Sequence, residues 1–154
     1  MRRRARRSVQ PPGVTSQRPA GYSTTPLSKK LGIGVSTSVY TVCAPTAYRS
    51  MLEPLPAGVR FVSKISKEVD LVHVFQDGKS DLARHLLSLR KRIRSDAVVW
   101  VSWPKKASRV PTDITEDVIR ALALPMGFVD IKVCAVSDVW SGLKLVIRKS
   151  LRSS

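Results

Sequence analysis

Two stretches constrain this chain more than any other feature. Residues 69–75 are apolar apart from Asp70 and His73, and residues 97–102 are apolar apart from Ser102. Short Val-rich runs of this kind belong to strands buried on both faces, because a strand with one wet face would alternate. Between them, Leu82, Leu86, Leu89 and Ile93 recur at helical spacing and predict a helix with one apolar stripe. Gln76-Asp77-Gly78 supplies the turn before it, Ser80 is the expected N-cap, and Asp81 complements the helix dipole. Strand, helix and strand in that order form a parallel pair joined by a right-handed crossover.

The flanking segments extend this pattern. Ser38–Cys43 reads as a strand entered after Gly32 and Gly34. Ala44-Pro45 ends it, and Thr46 is placed to cap a short helix reaching about Glu53, where Pro54, Pro56 and Gly58 intervene. Val59–Val62 is a short strand. After the run at 97–102, Trp103-Pro104-Lys105-Lys106 leads into a polar loop ending near Pro111. Thr112 or Thr115 then caps a helix built on Ile114, Val118, Ala121 and Leu122, closed by Pro125 and Gly127. Val129–Val136 and Gly142–Lys149 are strands separated by about six residues, too few for a crossover helix, so they pair antiparallel.

The expected order is β-α-β-β-α-β-α-β-β. The fold class is therefore α/β: a shortened Rossmann-like, mostly parallel sheet of about six strands, with a C-terminal antiparallel hairpin and helices on both faces. Parallel strands closed by such a hairpin are the arrangement of the Rossmann-like methyltransferases, an analogy of fold and not of function.

This domain is assigned to residues 27–150, with a short tail at 151–154. Residues 1–26 are rich in Arg, Pro, Ser, Thr and Gly and nearly empty of aliphatic side chains. Such a segment cannot bury enough surface to offset its ordering entropy, so a disordered basic leader is expected. A natural extension, a start placed too far upstream and an organellar transit peptide all share this composition; Pro11-Pro12-Gly13 would interrupt the amphipathic helix of the last. A secretory signal is excluded by the missing apolar segment. No apolar run reaches about 18 residues, so no membrane partner is expected. Cys43 and Cys134 each lie within an apolar run, which suits a reducing, cytoplasmic setting better than a disulfide scaffold.

The chain carries 27 Lys and Arg against 11 acids, and residues 1–30 hold eight of the bases and none of the acids. The remainder is thus basic in its own right. This charge attracts polyanions at long range without specifying one.

Several short stretches together suggest a family. Thr24-Thr25-Pro26-Leu27, Lys30-Leu31-Gly32-Ile33, Ala44-Pro45 with Tyr48, and Asp70-Leu71-Val72-His73-Val74-Phe75 contribute to it. Val101-Ser102-Trp103-Pro104-Lys105-Lys106 with Val110-Pro111-Thr112-Asp113, and Val139-Trp140-Ser141-Gly142-Leu143-Lys144, are the most distinctive. Over roughly residues 23–150 the chain resembles a family of small bacterial proteins known only as a domain of unknown function. That resemblance implies a fold and no activity, so the chemistry rests on the residues.

Methyl transfer requires a Gly-rich turn after the first strand, where missing side chains let the backbone approach the cofactor. Here the turn is Cys43-Ala44-Pro45-Thr46-Ala47-Tyr48, without glycine, and Pro45 removes an amide donor. Where an acid would bind ribose hydroxyls after the second strand, Ser63-Lys64 offers a cation. No cofactor is expected. Cys43, His73, His85 and Cys134 lack metal-ligand spacing, so no metal is expected either. His73, in mid-strand, suits a hydrogen-bonded core residue.

Ligands of open α/β sheets bind at the carboxyl ends of the strands. That edge should gather Tyr48, Asp77, Ser102, Trp103, Lys105 and Lys106, with Thr112 at the following helix start. Lys105 and Lys106 could hold an anion and Trp103 could stack on a ring; alternatively Trp103 packs the loop and the lysines are solvated. Arg84, Arg90, Lys91, Arg92 and Arg94 form a weaker candidate surface for nucleic acid. No nucleophile–base pair is legible. The expectation is a non-catalytic module binding an anionic ligand, nucleic acid or protein partner. The alternatives are a small enzyme acting on a phosphorylated or carboxylated metabolite and a degenerate methyltransferase-like protein.

Overall fold

The computed structural model describes residues 25–152; the expectations for the leader fall almost wholly outside them. Six strands occur among these residues: β1 (Ser38–Val42), β2 (Arg60–Phe61), β3 (Leu71–Phe75), β4 (Val98–Pro104), β5 (Phe128–Ala135) and β6 (Trp140–Ile147). They form one sheet in the order β2-β1-β3-β4-β6-β5. The pairs β1–β2, β1–β3 and β3–β4 are parallel, whereas β4–β6 and β6–β5 are antiparallel. No helix among the described residues is long and apolar enough to cross a membrane.

The helices are α1 (Leu27–Leu31), α2 (Tyr48–Met51), α3 (Lys79–Arg92) and α4 (Glu116–Ala123). One face of the sheet meets α3 and α4. Leu82, Leu86, Leu89, Ile119 and Ala123 bury there against Val72, Val74, Val99, Val101, Leu143, Leu145 and Ile147. Each such Leu contributes about 1.5–3 kcal/mol by leaving water. The other face meets α1 and α2, where Leu31, Ile33, Tyr48 and Leu52 pack on Val39, Leu71, Phe75 and Trp100.

Local details differ from the sequence reading in four places. Helix α1 has no counterpart in it: five residues are too few to show a period, and the element is held by tertiary contacts such as the Trp100 Nε1–H donating to the Leu31 carbonyl at 2.9 Å. Thr46 is not the cap of α2, whose N-cap position is Ala47 without a side-chain bond. Ser80 does not cap α3. That helix starts two residues earlier, after Gly78, and Asp113 of a distant loop accepts from the Lys79 amide at 2.6 Å. Arg94 lies beyond the helix, past Ile93, where it pairs with Asp70 and Asp96. Thr115, one of two capping candidates, does cap α4, accepting from the Val118 amide at 3.2 Å.

Candidate functional site

In the order β2-β1-β3-β4 the chain leaves β1 to one side and later returns to its other side. The crevice between the ends of β1 and β3 is thus the topological switch point, where ligands of open α/β sheets bind. Cys43 and Gln76 meet there, the Gln76 amide donating to Cys43 Sγ at 3.4 Å. Cys43 is exposed and takes a left-handed backbone, φ 57°, in the turn where nucleotide-binding folds carry glycine. A side chain thus stands at the turn where those folds leave the backbone bare.

Beside this crevice a pocket of about 320 Å³ opens between β1, β2 and α2. Its walls are of three kinds. Phe61 and Pro45 are apolar, Thr41, Thr46 and Ser63 bring hydroxyls, and Arg49 is the one charged residue lining it among those described. The Arg49 guanidinium sits 4.4 Å over the Phe61 ring centroid, a cation–π contact that orders an exposed arginine. No acid lines the pocket.

Under the pocket runs a buried polar chain. Tyr48 on α2 lines the cavity, but its hydroxyl is hydrogen-bonded to His73 Nδ1 at 2.8 Å. His73 Nε2 lies 2.7 Å from the Ser102 hydroxyl. His73 stacks on Phe75, centroids 4.2 Å apart, and both it and Ser102 are fully buried. Burial lowers the His73 pKa to about 3 and raises the Tyr48 phenol above its usual range. The imidazole is therefore neutral and carries one N–H. It donates at one end and accepts at the other, so the two hydroxyls take opposite roles. The result resembles a nucleophile–base pair in composition only, since a fully buried Ser102 reaches no substrate.

The loop singled out in the sequence is built differently from its composition. Trp103 is 8% exposed and belongs to the core under α3 and α4. Lys106 is exposed, while Lys105 is half-buried with its amide on the Val139 carbonyl at 2.7 Å. Thr112 donates to the Asp77 carbonyl at 2.7 Å and accepts from the Ile114 amide at 3.0 Å. With Asp113 capping α3, this fastens the loop to the turn at Asp77. The start of α4 carries Glu116 and Asp117, both paired to Arg120, so carboxylates already meet the dipole there. Tyr48 and Ser102 are brought together through His73; Trp103, Lys105, Lys106 and Thr112 do not share their pocket.

On the α3 surface, Arg84 pairs with Asp81 and Arg90 Nε donates to the Met126 carbonyl at 3.0 Å. Lys91 and Arg92 are exposed. Among the described residues no group of His, Cys, Asp and Glu is arranged to hold a metal ion.

Residues 58–149 match the family described as "Protein of unknown function (DUF3052)". The chain belongs to this family. No curated protein matches it. Several of the solved structures similar to it are methyltransferases by description. A proposed type 11 methyltransferase from Sulfolobus solfataricus is 17% identical, with a TM-score of 0.58 over 83% of this chain and 93% of the other. A SAM-dependent methyltransferase from Aquifex aeolicus is 14% identical, with a TM-score of 0.55 over 77% and 86%. One from Clostridium acetobutylicum is 8% identical, with a TM-score of 0.53 over 79% and 87%. At such identities the likeness establishes the fold of this DUF3052 protein, Rossmann-like and methyltransferase-like, and nothing of its chemistry.

Sequence reasoning missed Arg49, Phe61 and Ser63. The rule that found the 103–113 loop, carboxyl ends of strands, applies equally to β1 and β2. Arg49 was hidden because it stands on a four-residue helix with no period to read.

Proposed function

We propose that this DUF3052 protein is a non-catalytic binding module whose ligand is a small anion carrying a flat apolar group, seated between β1, β2 and α2. One observation carries this reading: Arg49 is the one charged residue, among those described, that lines a pocket otherwise made of hydroxyls and apolar side chains including the Phe61 ring. Arginine beside hydroxyl donors suits a carboxylate or phosphate, and the Phe61 edge suits a ring. The glycine-free turn, the side chain of Cys43 at the switch point and Lys64 after β2 all argue against S-adenosylmethionine. The buried Tyr48–His73–Ser102 chain argues for a scaffold role over catalysis, since it holds α2 to the sheet and offers no open base.

A thermal-shift screen of nucleoside monophosphates and aromatic carboxylates tests the proposal. The expected outcome is stabilisation by one class, removed in Arg49→Ala. Calorimetry should show no saturable S-adenosylmethionine binding; a one-to-one micromolar complex would overturn the reading in favour of a working methyltransferase-like site.

A further inference from the structure

On the hairpin half of the sheet the α1 face is covered only in part: Val136, Cys134 and Trp140 pack into the core on that side, whereas residues farther along β5 and β6 stay open to water. Along β6, Leu143, Leu145 and Ile147 are at most 1% exposed under α4, whereas the alternate residues Lys144 and Val146 are part-exposed. Lys144 stands directly opposite Trp100 on one side and Lys132 of β5 on the other. Directly opposed residues share a face, and Trp100 faces α1. Both lysines therefore lie on the α1 face. A third cation joins them: Lys30, from α1, reaches across to the Ala135 carbonyl at 3.2 Å. Cys134, between them, feels this cluster; burial pushes its thiol up while the fields of Lys30 and Lys132 oppose the rise.

Like charges directly opposite on neighbouring strands are destabilising. Among the described residues, Arg84, Arg94 and Arg120 pair with Asp70, Asp81, Asp96, Glu116, Asp117 and Asp130. More than half of the chain's 11 acids are thereby committed away from this face. The chain's own first 24 residues hold six arginines and no acid, so they cannot complement it. A second copy would bring the same sign of charge.

From this juxtaposition we propose that the open β5–β6 face, through Lys30, Lys132 and Lys144, docks the phosphate backbone of single-stranded nucleic acid. The surface suits a chain of regularly spaced phosphates: two lysines on adjacent strands with a third at the helix end, and no base-reading motif. Contacts of this type are independent of sequence and driven by counterion release.

Fluorescence anisotropy of a labelled single-stranded RNA with the full-length protein tests this across about 50–200 mM salt. Replacing both Lys132 and Lys144 by Ala should weaken binding and make the slope of log K against log salt shallower by about 1.4, at about 0.7 per phosphate contact on single strands. The melting temperature should hold or rise, because an opposed pair of like charges is removed. The double Arg variant at the same positions should keep the wild-type slope, which separates lost charge from lost fold. Lys91→Ala with Arg92→Ala on α3 should also leave the slope unchanged. Wild-type binding by the Ala pair, loss of slope in the Arg pair, or loss of slope in the α3 pair would overturn the assignment. So would binding to anionic phosphatidylserine vesicles without binding to RNA.

Discussion

The two halves of the sheet solve the same problem in opposite ways. The parallel half, β2-β1-β3-β4, lies under helices on both faces, so every polar group within it must find an internal partner. His73 and Ser102 do so with each other and with Tyr48, and the Trp100 indole does so with Leu31. On the hairpin half, β6-β5, the α1 face is covered only in part, and there Lys132 and Lys144 need no internal partner because water reaches them. Where the first half is buried, its polar residues are structural by necessity. In the second they are available for an outside partner.

The largest expected effect that tests this contrast is at Trp100. Its ring is fully buried and its N–H is bonded, so Trp100→Ala should cost about 3–5 kcal/mol through the cavity, besides leaving the Leu31 carbonyl short of a donor. Denaturant unfolding measures it. Lys144→Ala, directly opposite on β6, should change stability by less than about 0.5 kcal/mol, as surface changes do. Similar losses at both positions would break the contrast.

Protonation of His73 comes next. Its folded pKa of about 3 lies below the ordinary value of 6.5. Between the two, the unfolded chain binds a proton that the native state excludes. The stability contributed by neutral burial is thus fully present above about pH 6.5 and is lost as pH falls toward 3, with a limiting slope of roughly 1.4 kcal/mol per pH unit from this one group. Unfolding free energies measured from pH 7 to 4 should show this decline. His73→Gln should lower stability at pH 7 but flatten the slope; an unchanged slope would mean that other groups carry the acid sensitivity.

Gly142 sits on the seam between the halves. A Cβ there would come within 2.9 Å of the Val136 side chain and 3.2 Å of the Trp100 ring. Gly142→Ala should cost about 1–3 kcal/mol through overpacking, read by thermal unfolding, while the exposed edge of β5 should accept Ile131→Ala with less than that.

The smallest stability effect belongs to the loop after β4. Lys105→Ala with Lys106→Ala should leave unfolding within about 1 kcal/mol of the parent. Its value lies in binding. An anion found by the screen that is lost with Arg49 and kept in the lysine pair belongs to the β1–β2 pocket, whereas the reverse outcome returns the site to the loop.

Element type was legible because it is local. The apolar runs at 69–75 and 97–102, the Leu82–Ile93 stripe and the short link between the last strands suffice for a parallel sheet with a terminal hairpin. Where the stripe was longest the reading was best; where an element has four or five residues, as in α1 and α2, no period exists to read. Capping of α3 escaped for a different reason, since Asp113 lies 34 residues from the amide it receives.

What the sequence determined by itself is therefore the set of elements, their order and the surplus of positive charge. Which polar residues would be buried and which exposed was decided only by the tertiary structure. Tyr48, His73 and Ser102 stand 25 and 29 residues apart, and they meet because parallel pairing sets β3 beside β4 and α2 above both. Lys132 meets Lys144 because an irregularity between Asp130 and Lys132 shifts the register of β5. A one-residue slip in a strand exchanges its two faces, so that local shift, invisible in composition, helps set which side of the sheet carries the charge.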